Sequence, residues 1–286
     1  FSGFTNSSPY VILHPENKIM NKFAAVQKIR QYLAEGRHVV GSWMQLPCPE
    51  VAEILGSQGF DFIGVDLEHS NITRNQLPNI FRALELGNTL PLARIAKPDS
   101  FLAVEALEQG AAGIIVPQIR SKSQLSEIKE SFSLPPRGTR GMGFNRGNGY
   151  GIQFHEYREG LGQQPLLIPM IEHYEAVENI DEILSVDVDT ALIGPYDLSA
   201  SLGCAGDFEN PKYLQVLGEF KKGCLRNHVP IGYHIPGNHL SKDPIEEFSE
   251  RRQEGYTFIV YSGDINMLNA YPAAVNAAFS DAAAVS

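Results

Sequence analysis

Short apolar runs and helix-spaced apolar residues alternate along most of the chain, and the alternation repeats eight times. Asn21 followed by Phe23, Val26, Ile29 and Leu33, with Gly36 behind them, predicts a capped amphipathic helix. Residues 39–43 (VVGSW) predict a first strand, and Pro49 with Val51, Ile54 and Leu55 predicts the helix after it. Residues 61–66 (DFIGVD) form the second run. Thr73 and Gln76 then read as a capping box for a helix that buries Leu77, Ile80, Phe81 and Leu84. Runs three and four span 90–95 and 113–117. The helix after run three is capped by Asp99 and carries Leu102, Ala103, Ala106 and Leu107. The next has Ser121 and Gln124 at its start and Leu125, Ile128 and Phe132 on its buried face.

The pattern lapses over 135–164, which holds eight glycines and is too long for an ordinary connector. Such a loop either borders a site or is a surface excursion. Residues 165–201 restore the alternation with two apolar runs, 166–171 and 190–193, separated by Val177, Ile180, Ile183 and Leu184 at helical spacing. Asn210-Pro211 opens a helix with Tyr213, Leu214, Leu217 and Phe220. Residues 230–235 are the seventh run, and Asp243, Pro244 and Glu246 mark the start of another helix. The eighth run is 256–261 (YTFIVY), and 265–279 is an Ala-rich helical tail.

Eight strand–helix units predict an α/β fold, a single (β/α)8 TIM barrel over residues 21–286, with an N-terminal helix and a C-terminal helical tail. Residues 1–20 read as an N-terminal arm or added tail. A doubly wound open sheet is the alternative; it is disfavoured because eight units use the whole length and no GxGxxG follows the first strand.

Composition narrows the function. The net charge of -10, with no Lys/Arg cluster, argues against a nucleic-acid surface, and no apolar run reaches membrane-spanning length. Cys48, Cys204 and Cys224 are odd in number and widely spaced, which fits reduced thiols and a cytoplasmic location. The first residues lack the basic-then-apolar pattern of a signal peptide.

In a barrel the C-terminal strand ends share one rim. That rim would receive Trp43, Asp66, Glu68, His69, Arg94, Pro117, Gln118, Glu172, Asp197, His234, Ser262 and Asp264. Glu172 and Asp197, 25 residues apart, close the two strands of one crossover and so become spatial neighbours. Two carboxylates without nearby Cys or paired His suit a hard cation, Mg2+ or Mn2+ with Co2+ a further option. The competing reading makes both residues helix caps. The segment Asp66-Leu67-Glu68-His69 puts an acid and an imidazole within a few residues at a strand end, which reads either as a general base oriented by a carboxylate or as a hydrogen-bonded loop histidine. Arg94 ends an apolar run as a clamp for an oxyanion or as one half of an ion pair with Asp66 or Glu172. The Gly-rich stretch 137–151 lacks a phosphate-loop pattern and reads as a flexible or substrate-bordering loop.

Several stretches together resemble the HpcH/HpaI family of metal-dependent (class II) 2-oxo-acid aldolases, in the phosphoenolpyruvate/pyruvate barrel superfamily. They are GFDFIGVDLEH (59–69), PLARI (91–95), LEQGAAGIIVPQI (107–119), PPRGTRG (135–141), IEHYEAVENIDEIL (171–184) and IGPYDLSASLG (193–203). The resemblance covers roughly residues 23–268. It implies a carbon–carbon lyase that reversibly cleaves a 4-hydroxy-2-oxo acid to pyruvate and an aldehyde through a metal-stabilised enolate. Glu172 and Asp197 would hold the metal, Arg94 would stabilise the enolate oxygen, and His69, oriented by Asp66, would move the 4-hydroxyl proton. Backbone N–H groups around Gly194, Pro195 and Tyr196 would hold the pyruvate carboxylate, with Trp43 and Met170 lining the substrate. The family also implies a homo-oligomer, a hexamer or trimer of dimers. Two positions depart from its pattern: Met170 stands where Gln is common, and Glu108 where Asp is. Oxaloacetate decarboxylation, a Schiff base at Lys97 and a non-catalytic 2-oxo-acid-binding barrel are the alternatives.

Overall fold

The computed structural model describes residues 20–162, 164–237 and 243–284, so the expected N-terminal arm lies outside the described residues apart from Met20. The elements run α1 (Lys22–Ala34), β1 (Val39–Met44), α2 (Pro49–Gly56), β2 (Phe62–Asp66), α3 (Leu77–Leu86), β3 (Leu90–Arg94), α4 (Ser100–Glu108), β4 (Gly113–Val116) and α5 (Lys122–Phe132). A 3-10 turn (Arg146–Gly151) and α6 (Phe154–Glu159) precede β5 (Leu166–Ile171), α7 (Tyr174–Glu178), α8 (Ile180–Leu184), β6 (Ala191–Ile193) and α9 (Pro195–Ser201). The chain continues through α10 (Pro211–Arg226), β7 (Ile231–Ile235), α11 (Pro244–Gln253), β8 (Phe258–Gly263) and α12 (Asp264–Ala284). The strands pair in sequence order, all parallel, and β8 closes on β1. This is the predicted (β/α)8 barrel.

Local chemistry sets most helix starts. Asn21, Asp99, Asn210 and Asp243 accept hydrogen bonds from first-turn N–H groups, and Ser121 with Gln124 makes a reciprocal capping box. The Thr73–Gln76 box is a correction. The Gln76 side chain accepts from the Thr73 N–H and hydroxyl, but this ties a turn, and α3 starts at Leu77 with Pro78 in its first turn. The helix expected between β5 and β6 is two short ones, broken where Asn179 leaves helical geometry.

Two apolar shells follow from period-two alternation in the strands. Leu90, Leu92, Ile115, Leu166, Ile168, Leu192, Phe258 and Val260 fill the barrel interior, with Phe62 and Phe258 stacked at 4.5 Å. Their neighbours, such as Ile63, Val65, Ile114, Ile193 and Tyr233, pack outward on the helices. The eighth strand runs two residues later than predicted. Ser262 and Gly263 are not apolar, yet the ladder continues through them to pair Gly263 with Trp43.

The glycine-rich segment 135–164 does not border the C-terminal rim. It joins α5 to β5 and so lies at the opposite mouth, where Leu134, Tyr157 and Leu161 pack with Val26 and Ile29 of α1 under the inner core. Arg146 anchors it by paired bonds to Glu85 at 2.8 and 3.2 Å, and Arg140 donates to the Tyr157 hydroxyl at 2.7 Å. No described helix is long and apolar enough to cross a membrane.

Gly64 leaves room for the Trp43 indole inside the barrel, since a Cβ there would lie 2.5 Å from the ring. Gly64→Ala is expected to lower unfolding stability by about 1–3 kcal/mol in thermal or denaturant melts, because a buried ring has nowhere to retreat.

Candidate active site at the C-terminal rim

The β2–β3 register pairs Asp66 with Arg94, and their side chains meet inside the barrel mouth. Arg94 Nε and Nη2 donate to the two Asp66 oxygens at 2.8 and 2.6 Å, a bidentate fork. Both residues are buried. Burial alone would raise the Asp66 carboxyl, but the Arg94 fork and the N–H groups of Glu68 and His69 hold it below the usual carboxylate range. Arg94 has the mirror balance: burial disfavours its charge, and Asp66, with Glu68 and Glu172, more than restores it. The guanidinium lies 4.4 Å over the Trp43 ring, and Nη1 reaches the Met170 sulfur at 3.9 Å and a Glu68 oxygen at 3.6 Å.

Asp66 therefore does not orient the His69 imidazole. Its oxygens are taken by Arg94, by the backbone N–H groups of Glu68 and His69, and by the Gln45 amide at 3.0 Å. The acid beside the ring is Glu68, whose Oε2 lies 3.7 Å from His69 Nε2. Burial raises the Glu68 carboxyl, against the charges of Arg94 and His69. The imidazole itself stands at the rim, with more than half of its side chain open to solvent.

Glu172 leaves β5 one residue past the ladder and is almost fully buried. Gln118, held at φ 52°, aims its backbone N–H at Glu172 Oε2 across 2.6 Å, while its amide donates to Glu68 at 2.9 Å. A non-glycine residue in the left-handed region beside a site is strain that its surroundings must sustain. Burial pushes the Glu172 carboxyl up to about 8, opposed by the Gln118 N–H and reinforced by the negative charges of Glu68 and Asp197. Asp197 sits in the first turn of α9, whose N-cap is Gly194, so it is not the cap considered from sequence. Gly194 lies flat on Glu172: a Cβ there would come within 2.7 Å of the carboxylate. Glu172, Gly194 and Asp197 thus make an oxygen-rich cradle. Among the described residues no three His, Cys, Asp or Glu side chains converge, so the protein would offer a cation this carboxylate pair and leave other positions to water or substrate oxygens.

The cradle and the Arg94 fork face one cavity of about 260 Å3, lined by Trp43, Gln45, His69, Arg94, Met170, Glu172, Gly194, Pro195, Tyr196, Asp197, His234, Ser262, Gly263 and Asn266. The cavity thus gathers every residue to which the resemblance assigns a role in the site except Asp66, which stands behind Arg94; of the wider rim set, Glu68, Pro117, Gln118 and Asp264 do not line it. Two of the expected backbone donors are not available: the Gly194 N–H already bonds to the Ile171 carbonyl, and Pro195 has none. Gln45 and Asn266 were missed. Inward alternation through Gly41 and Trp43 carries on to Gln45, a signal that was available. Asn266 belongs to α12, where it donates to the Pro236 carbonyl at 2.7 Å. Asp264 serves the scaffold, accepting from the N–H groups of Gln45, Leu46 and Ile265. Lys97 is exposed and pairs with Asp99 at 3.6 Å, outside the cavity.

The family model for HpcH/HpaI aldolase/citrate lyase matches residues 39–228. The hydroxypyruvate/pyruvate aldolase of Rhizorhabdus wittichii is 31% identical over 86% of this chain and 95% of its own. That of Roseobacter denitrificans is 34% identical over 66% of this chain and 74% of its own. The crystal structure of an HpcH/HpaI aldolase from Desulfitobacterium hafniense superposes with a TM-score of 0.78 at 27% identity, covering 87% and 95% of the two chains.

The Glu172 carboxyl carries a pH signature. Its folded pKa of about 8 exceeds its ordinary 4.5, so the folded state holds the proton more tightly than the unfolded one. Its contribution to stability is present at low pH and is lost as pH rises through about 8. Melting temperatures of chelator-treated protein should fall as pH rises from about 5 to about 8 and level off above that, and Glu172→Gln should flatten the slope.

Proposed function

The chain belongs to the HpcH/HpaI aldolase/citrate lyase family, and on that premise we propose that it is an aldolase that reversibly cleaves a 4-hydroxy-2-oxo acid to a 2-oxo acid and an aldehyde. The observation that carries this reading is the arrangement around one cavity: a buried arginine held by Asp66 and, beside it, a paired-carboxylate cradle. When bound by Glu172 and Asp197, a divalent cation such as Mg2+ or Mn2+ supplies Lewis-acid charge for the 2-oxo-acid oxygens.

Arg94 then contributes a cation whose position Asp66 has already fixed. Its Nη1, which makes no hydrogen bond to Asp66, is turned to the cavity side, where negative charge develops on the 2-oxo oxygen as the bond to carbon 4 breaks. The His69 imidazole, at the open rim with Glu68 behind it, is placed to take the 4-hydroxyl proton. Loss of that proton lets carbon 4 leave as the aldehyde carbonyl, while the electron pair of the broken bond passes to the enolate of the 2-oxo acid. A proton delivered to carbon 3 completes the 2-oxo-acid product, and addition runs these steps backwards. Met170 gives Arg94 a soft, uncharged neighbour at the floor and leaves the guanidinium charge for the substrate.

Against a Schiff-base route stands Lys97, which is exposed and outside the cavity. Release of pyruvate from a panel of 4-hydroxy-2-oxo acids should vanish on exhaustive EDTA treatment and return with Mg2+ or Mn2+. Activity that survives full metal removal, or a borohydride-trapped adduct at Lys97, overturns the reading. Arg94→Ala should lower kcat by about a hundred-fold or more, the scale of losing one oxyanion donor, while Lys97→Ala should leave turnover within about two-fold, as expected of an exposed ion pair.

A further inference from the structure

The cavity floor is one layer of four side chains from alternate strands: Trp43 of β1, Arg94 of β3, Met170 of β5 and His234 of β7. Contacts run around it. The Arg94 guanidinium covers the Trp43 ring and reaches the Met170 sulfur, and Trp43 meets the His234 ring edge-on with centroids 5.9 Å apart. In an eight-stranded barrel β7 stands opposite β3, so His234 faces Arg94 across the floor.

Two members of this layer have unspent hydrogen-bonding capacity. The Trp43 indole N–H is buried and bonds to nothing among the described residues. The His234 imidazole lines the cavity and makes no hydrogen bond to any described residue, its ring contact being with Trp43. Burial and the nearby Arg94 charge push His234 down to about 3, so near neutral pH it carries one N–H donor and one bare nitrogen acceptor. An indole donor beside a neutral imidazole is the complement of a hydroxyl, which accepts from one and donates to the other. A methyl in the same place would leave the buried indole N–H unpaired and offer the imidazole no partner, which such a site tolerates poorly.

The remaining question is which part of the substrate lies there. On the aldolase reading, on which this inference rests, the carboxylate and 2-oxo oxygens turn toward Glu172, Asp197 and Arg94 on the β3, β5 and β6 side. Carbon 3 then faces the β7 and β1 wall. We propose that Trp43 and His234 recognise a hydroxyl on carbon 3 of the 2-oxo acid, with His234 the residue that sets the preference for a 3-hydroxylated donor over pyruvate. The relatives' names join hydroxypyruvate and pyruvate; here the choice between them is assigned to one side chain.

The test is solvent deuterium exchange at carbon 3, followed by proton NMR with Mg2+ present, for 3-hydroxypyruvate and for pyruvate in separate tubes. This readout needs no aldehyde acceptor. Wild-type protein should exchange 3-hydroxypyruvate with the higher kcat/KM, and His234→Leu should lower the ratio of the two values by at least about ten-fold. His234→Gln, which keeps a donor and an acceptor, should retain most of the ratio, and Trp43→Phe should lower it in the same direction as His234→Leu. A ratio unchanged in both His234→Leu and Trp43→Phe, or a wild-type preference for pyruvate, overturns the assignment while leaving the aldolase reading intact. Exchange of neither acid by metal-loaded wild-type protein overturns both.

Discussion

Two buried charges, Arg94 and Asp66, hold the rim together. Neither could stay ionised there alone, since an unpaired charge in the barrel mouth would cost several kcal/mol. Their register partnership across β2 and β3 brings the fork together without a long side chain having to search for its mate. Once Arg94 is fixed, its neighbours inherit their places: Trp43 beneath its face, Met170 against Nη1, Glu68 at the edge of its charge. The Gln45 amide closes the far side of Asp66 and ties the β1 end to the β2 loop through the His69 carbonyl.

The rim thereby holds carboxylates in contrasting states. Asp66 is held toward its ionised form by a cation and by backbone N–H groups, whereas burial and like charge push the Glu172 carboxyl toward its protonated form. Environment rather than residue type makes the difference. Gln118 links the two halves, with its backbone on Glu172 and its amide on Glu68, at the expense of a left-handed φ.

Much of this was legible because it is carried by periodicity. Strand runs end where carboxylates begin, and a parallel barrel gathers those ends on one edge, so Glu172, Asp197, Arg94 and His69 could be placed together from spacing alone. What escaped depends on backbone direction or on which neighbour wins a contact. Asp66 could pair with either Arg94 or His69, and only the β2–β3 register shows that the guanidinium takes it. The role of Gln118 lies in a torsion angle. The segment 135–164 looked like a site-bordering loop because glycine content says nothing about which end of the barrel a connection occupies. The order of elements does say it, since a helix-to-strand link returns to the strands' N-terminal ends.

That returning segment has a consequence for the order of events. With Leu134, Tyr157 and Leu161 packed beneath the inner core and the Trp43–Arg94–Met170–His234 layer above it, the barrel is filled beneath the cavity floor by described side chains. Whatever rests on its floor is covered by whatever arrives next. For the proposed cleavage the aldehyde half lies nearer the opening and leaves first, and the 2-oxo acid follows; for addition the 2-oxo acid enters first. On the proposed reaction, the plug at the far end of the barrel would set the order in which two molecules that it never touches come and go.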